Sequence, residues 1–212
     1  MERWEIVVIG AGAAGLMAAR AAAKARKARG VQGGVLILEG NPKPGKKLLA
    51  TGNGRCNLTN LNVASDHYHG DRELAIPLLE QYPPSAILAE FEELGLLCRP
   101  DSESRVYPRN LQAAAVLQAL RWGCEELGVV LRCGQGVEEV SSVSGGFLLK
   151  TREGEKLFAS QLILACGGKA SPKHSWESGG YGLVQKLGHS LVQLYPSLTP
   201  LKSSKKSLRS LK

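Results

Sequence analysis

Gly10, Gly12 and Gly15, in the run Gly10-Ala11-Gly12-Ala13-Ala14-Gly15, have the spacing of a turn that approaches a diphosphate. The first glycine permits the tight turn. The second lets backbone come close to the phosphates, and the third lets a following helix pack on the preceding strand. The N–H groups at the start of that helix, around Ala13 and Ala14, face an anion with the positive end of the helix dipole. Glu39 ends the next apolar run, and a carboxylate there can accept hydrogen bonds from a ribose. A second group follows in residues 44–60. Its glycines offer concave turns of N–H groups that attract anions. Lys46, Lys47 and Arg55 add positive charge, and Asn57, Thr59 and Asn60 add neutral hydrogen-bonding groups. The two groups together describe a site for a phosphate-bearing cofactor.

A glycine run carries that meaning only when a strand leads into it and a helix leads out. Residues 5–9 read as a short buried strand, β-branched in Ile6, Val7, Val8 and Ile9. Residues 16–27 are rich in alanine and are expected to be helical. Gly30, Gly33 and Gly34 break the chain, and residues 35–39 form a second apolar strand. This is the strand–helix–strand unit of a parallel sheet. Residues 40–60 are expected to be a polar, glycine-rich loop. Helices are expected at 74–80, 85–94, 111–127 and 181–187, and strands at 129–133 and 157–165. Hairpins are expected at 98–107 and, around Gly145-Gly146, at 137–152. The fold class is therefore α/β: a Rossmann-type domain with a mostly parallel sheet, flanking helices and a small β-hairpin.

Composition narrows the partners. No run approaches the roughly 18 apolar residues of a membrane span, so no membrane partner is expected. The first five residues hold two acids and lead straight into strand-like sequence, unlike a signal peptide. A cytoplasmic protein is expected. Its five cysteines, at positions 56, 98, 124, 133 and 166, form no CxxC pair, so neither a disulfide framework nor a zinc site is expected. His67 and His69 have a spacing compatible with a metal but no supporting acid–histidine cluster, and no metal site is assigned. The net charge of +8 is uneven: Lys202, Lys205, Lys206, Arg209 and Lys212 supply five positive charges at the end of the chain. No specific nucleic-acid partner is expected from that footprint. Residues 202–212 lack apolar side chains enough to bury a core, and a disordered basic tail is expected there.

The run GKKLLATGNGRCNLTN, taken with VVIGAGAAGLMAA, resembles the bacterial flavoproteins described as aminoacetone-oxidase-like or bile-acid-reductase-like NAD(P)/FAD-dependent oxidoreductases. The resemblance extends through Gly134-Gln135-Gly136-Val137, the strand end Leu162-Ile163-Leu164-Ala165-Cys166-Gly167-Gly168, Ser178-Gly179-Gly180-Tyr181-Gly182 and Pro196-Ser197-Leu198-Thr199-Pro200-Leu201. It implies FAD as cofactor, with NAD(P)H as a candidate reductant and a small organic molecule as substrate. It also implies FAD contacts at Thr51, Gly52, Gly54, Arg55, Cys56 and Asn57, and at Gly45, Val137, Ala165 and Gly167. Asn53 stands where many relatives have Gly, and Asn tolerates left-handed backbone. Cys166 stands where Thr is commoner, which removes a hydroxyl. Arg55 is expected near the flavin, and its charge beside Cys56 favours a thiolate, although no second cysteine lies at redox spacing. No catalytic acid or base is assigned, since the flavin carries the hard chemistry.

Relatives continue beyond the PSLTPL-like segment and then return to complete the FAD domain. Residues 1–201 are accordingly expected to be the N-terminal portion of an FAD-binding domain, with a C-terminal half as a missing partner. Two functions stay open: an FAD-dependent oxidoreductase passing a hydride or electron pair between NAD(P)H or oxygen and an organic substrate, and a non-catalytic FAD-binding fragment.

Overall fold

The computed structural model describes residues 1–170 and 180–195. The segments around Ser178-Gly179 and Pro196-to-Leu201, and the 202–212 tail, therefore lie outside the described residues. In chain order the strands are β1 (Glu2–Ile9), β2 (Val35–Glu39), β3 (Thr59–Asn60), β4 (Cys98–Pro100), β5 (Arg105–Pro108), β6 (Val130–Cys133), β7 (Val137–Val143), β8 (Gly146–Thr151) and β9 (Lys156–Leu164). The helices are α1 (Ala13–Ala28), α2 (Lys46–Ala50), α3 (Arg72–Gln81), α4 (Pro84–Glu93), α5 (Ala113–Glu125) and α6 (Tyr181–Lys186). The main sheet has the order β6-β2-β1-β9-β8-β7. Its first four strands are mutually parallel, and β8 and β7 add an antiparallel hairpin. The sequence expectation of an α/β domain with a mostly parallel sheet and a small hairpin is met.

Side-chain alternation explains the layering. In β1, Ile6 and Val8 point to one face and Val7 and Ile9 to the other. Both faces of the central strands are covered, so β2 is apolar and buried from Val35 to Leu38, as a parallel sheet requires. Ile6, Val8, Val35 and Ile37 pack with Leu16, Ala19 and Ala23 of α1 and Val116, Leu117 and Leu120 of α5. Val7, Ile9, Leu36 and Leu38 meet Val137, Val140 and Leu149 of the hairpin. Each fully buried aliphatic side chain stabilises the fold by about 1.5–3 kcal/mol.

Three expectations need correction. Strand β1 starts at Glu2, not at residue 5, because Glu2, Arg3 and Trp4 pair with Leu157, Phe158 and Ala159 of β9. Residues 40–60 are not all loop. They fold into α2, a 3-10 turn at Thr51–Gly54 and the short strand β3. Leu48 from this segment is buried in the core, which holds a five-residue helix too short to persist alone. Finally, the 98–107 hairpin is part of a three-stranded sheet, β3-β5-β4, rather than an isolated pair. No helix among the described residues is long and apolar enough to cross a membrane.

Candidate dinucleotide site

Strand β1 delivers the chain to Gly10, whose φ of 105° suits glycine alone. A β-carbon there would come within 2.5 Å of the Ala165 carbonyl oxygen, at the end of β9. A β-carbon on Gly15 would overlap the Gly10 carbonyl. These two glycines let α1 sit directly on the ends of two parallel strands. Gly12 is different: a β-carbon there meets nothing within 4 Å. The space beside its backbone is open, as the approach of a phosphate requires. Gly12 is the N-cap of α1, and the first turn of that helix holds no acid. Ala13 and Ala14 are exposed there, and unpaired N–H groups at such a helix start favour an anion.

Glu39 is buried at the tip of β2. Its Oε2 accepts the Ala11 N–H at 2.8 Å. Its Oε1 accepts the Asn41 N–H at 2.8 Å and the Asn41 Nδ2 at 2.7 Å. The Ala11 carbonyl in turn accepts the Gly45 N–H at 2.9 Å. The peptide between the first two motif glycines is thus held from both sides. A carboxylate offers about four acceptor positions, and three donors already fill most of them. Glu39 is therefore a brace for the glycine turn.

A cleft opens between these parts. Gly10, Gly12, Glu39, Gly45, Lys46 and Lys47 line one side, and Val137, Ala165 and Gly167 the other. Half of the residues expected from sequence meet there. Gly40, Asn41 and Cys166 also line it and were not assigned. The position of Asn41, two residues past Glu39, was the signal available for it. The lysines differ in role. Lys47 Nζ donates to the Gly168 carbonyl at 2.8 Å and ties α2 to the loop after β9. Lys46 is exposed at the cleft and has no ion-pair partner among the described residues. Burial pushes the Cys166 thiol up to about 11. It stays neutral at pH 7 and sets no negative charge against phosphates.

Thr51, Gly52, Gly54, Arg55, Cys56 and Asn57 do not line this cleft. Gly52 and Asn53 both take left-handed backbone, with φ of 54° and 53°, so Asn53 serves where glycine would. Arg55 lies over the Tyr107 ring, 5.0 Å from its centroid. Cys56 is buried, and burial raises its thiol above the ordinary value. The thiolate expected from its cationic neighbour is not favoured, because desolvation outweighs the charge next door in sequence.

The HI0933-like protein Rossmann domain matches residues 4–197. The chain belongs to that family. This HI0933-like chain is 40% identical over 201 residues to the 3-dehydro-bile acid delta(4,6)-reductase of Clostridium scindens, covering 94% of the chain and 48% of the reductase. It is 26% identical to the ribosomal RNA dihydrouridine synthase of Escherichia coli, over 100% of the chain and 51% of the synthase. The chain thus spans about half the length of the curated relatives it matches. The bile-acid-reductase resemblance is borne out. Among solved structures, the 3-ketosteroid-delta4-(5alpha)-dehydrogenase of Rhodococcus jostii RHA1 aligns with a TM-score of 0.56 at 17% identity, covering 79% of this chain and 46% of the dehydrogenase. The Thermovibrio ammonificans THI4 structure aligns with a TM-score of 0.54 at 16% identity, over 87% of this chain and 61% of that protein. At such identity these two show the fold alone.

Proposed function

We propose that this chain binds FAD in the cleft at the Gly12 turn and serves as the dinucleotide-binding portion of an oxidoreductase. The observation that carries the reading is the open space at Gly12, set against an acid-free helix start and the exposed Lys46. The residues present fit a dinucleotide. The first N–H groups of α1 and the Lys46 ammonium would bind the pyrophosphate. Glu39, itself held by Asn41, accepts the Ala11 N–H, and both line the cleft where a ribose would rest. Lys47 fixes the 165–168 loop against α2, so both walls of the cleft keep their spacing. The chemistry that FAD supplies when bound is transfer of a hydride or electron pair between a reductant and an organic substrate.

NAD(P)H is the reductant this reading favours, with oxygen as the alternative electron partner. The relative named as a 3-dehydro-bile acid reductase points to a small organic acceptor. The alternative reading is an FAD-binding unit without turnover of its own. Colour separates the two. Reconstituted with FAD, the protein should be yellow, bleach with NADH or NADPH, and recover in air. A yellow protein that no nicotinamide bleaches supports the binding unit alone.

A further inference from the structure

A second cavity, of about 240 Å³, lies on the three-stranded sheet and shares no lining residue with the dinucleotide cleft. Arg55, Arg99, Asp101, Tyr107 and Leu111 contribute to its wall. Arg99 and Tyr107 are register partners on β4 and β5, so their side chains leave the same face of the sheet. The Arg55 guanidinium lies over the same Tyr107 ring. Two guanidinium groups therefore flank one buried aromatic residue.

The nearby acid does not neutralise them. Asp101 Oδ2 takes Arg105 Nε at 2.9 Å, and Oδ1 accepts the N–H groups of Glu103 and Arg105. Among the described residues, the Arg55 guanidinium donates only through its Nε, to the Gly52 carbonyl at 3.0 Å. Arg99 has no ion pair among the described residues. Left-handed backbone also gathers here. Asn53 and Cys56, on either side of Arg55, and Leu111 in the wall have φ of 53°, 59° and 56°. Non-glycine residues held in that region cluster at ligand sites. Guanidinium groups with free donors match the two oxygens of a carboxylate or phosphate.

We propose that this cavity is an oxyanion subsite, in which Arg55 and Arg99, set around Tyr107, receive the carboxylate or phosphate group of a small ligand. The assignment stands apart from the dinucleotide reading, because the two cavities are separate.

The test is a calorimetric titration of the protein with inorganic phosphate, and separately with acetate, at constant low ionic strength. The wild-type and Gly12→Val proteins are each titrated, the second with the cleft closed to anions. One saturable site is expected, weakened about tenfold by either Arg55→Gln or Arg99→Gln, as for loss of a charge-assisted hydrogen bond. Arg29→Gln, at the end of α1 and in neither cavity, should leave it unchanged. Acetate binding as well as phosphate assigns a carboxylate ligand, and preference for phosphate assigns a phosphoryl group. No saturable binding of either anion overturns the proposal, as does equal loss in Arg29→Gln. Phosphate binding that Gly12→Val abolishes and Arg99→Gln leaves intact places the anion in the cleft and also overturns it.

Discussion

Gly12 and Glu39 do opposite work at the same turn, one by leaving space and the other by filling hydrogen bonds. A β-carbon at Gly12 meets no protein atom within 4 Å, so Gly12→Val should fold with near-normal stability. It should lose FAD binding, because the branched side chain occupies the phosphate's approach. Fluorescence titration of apo-protein with FAD, beside a denaturation curve, checks both halves. Wild-type affinity in the variant would remove position 12 from the site. Glu39→Ala should show the reverse balance. It strands the Ala11 N–H and the Asn41 donors, at a cost of about 1–3 kcal/mol for a buried unpaired group. Chemical denaturation should reveal that loss together with weaker FAD binding, and unchanged stability would contradict the bracing role. Glu39's position at the strand tip was legible in sequence. Its second task was not, because its partner Ala11 is brought to it by the fold rather than by spacing along the chain.

At the scale of elements, the strand–helix–strand unit was legible because its periodicity and its glycines agree. The 44–60 run was read as loop throughout, and much of it is regular structure instead. One proline and three glycines hide a five-residue helix whose stability comes from Leu48 in the core and Gly45 on Ala11. The packing of α1 gives two tests. Gly15→Ala would push a β-carbon into the Gly10 carbonyl, and backbone cannot yield as a side chain can. A loss of at least about 2 kcal/mol is expected from such overpacking, read by urea denaturation. Stability equal to wild type would mean that α1 does not sit on β1 as described. Between α1 and α5, the Cys124 thiol reaches the Leu16 carbonyl at 3.3 Å, and burial pushes it up to about 11 from a free value of 9.0. Between those two values the unfolded chain gives up the thiol proton and the folded chain keeps it. Alkali in that window therefore favours unfolding, and below it this group adds no pH dependence. Cys124→Ala should flatten the fall in unfolding free energy from pH 9 to 11 by about 2 kcal/mol. An equally steep fall in the variant would move the effect to other groups, Cys166 first among them.

For the whole molecule, one sheet end gathers what the chain separates. The ends of β1, β2 and β9 bring Gly10, Glu39 and Ala165 to one edge, the place where open α/β sheets bind their ligands. That gathering was legible from the motif order, and the walls of the cleft agree with nine of the positions assigned from sequence. The Thr51-to-Asn57 segment, which resemblance places at the flavin, does not line the cleft, and Arg55 lines the second cavity. Sequence could not show this, since Tyr107 and Arg99 join it only across the small sheet. The central claim is that the Gly12 cleft holds FAD. It is tested most directly by incubating the purified protein with FAD and NAD(P)H together, removing free nucleotide, denaturing, and identifying what is released by chromatography. FAD is expected in near-equimolar amount from the wild-type chain, and none from Gly12→Val. Release of nicotinamide dinucleotide without flavin, or equal flavin from both proteins, would contradict it.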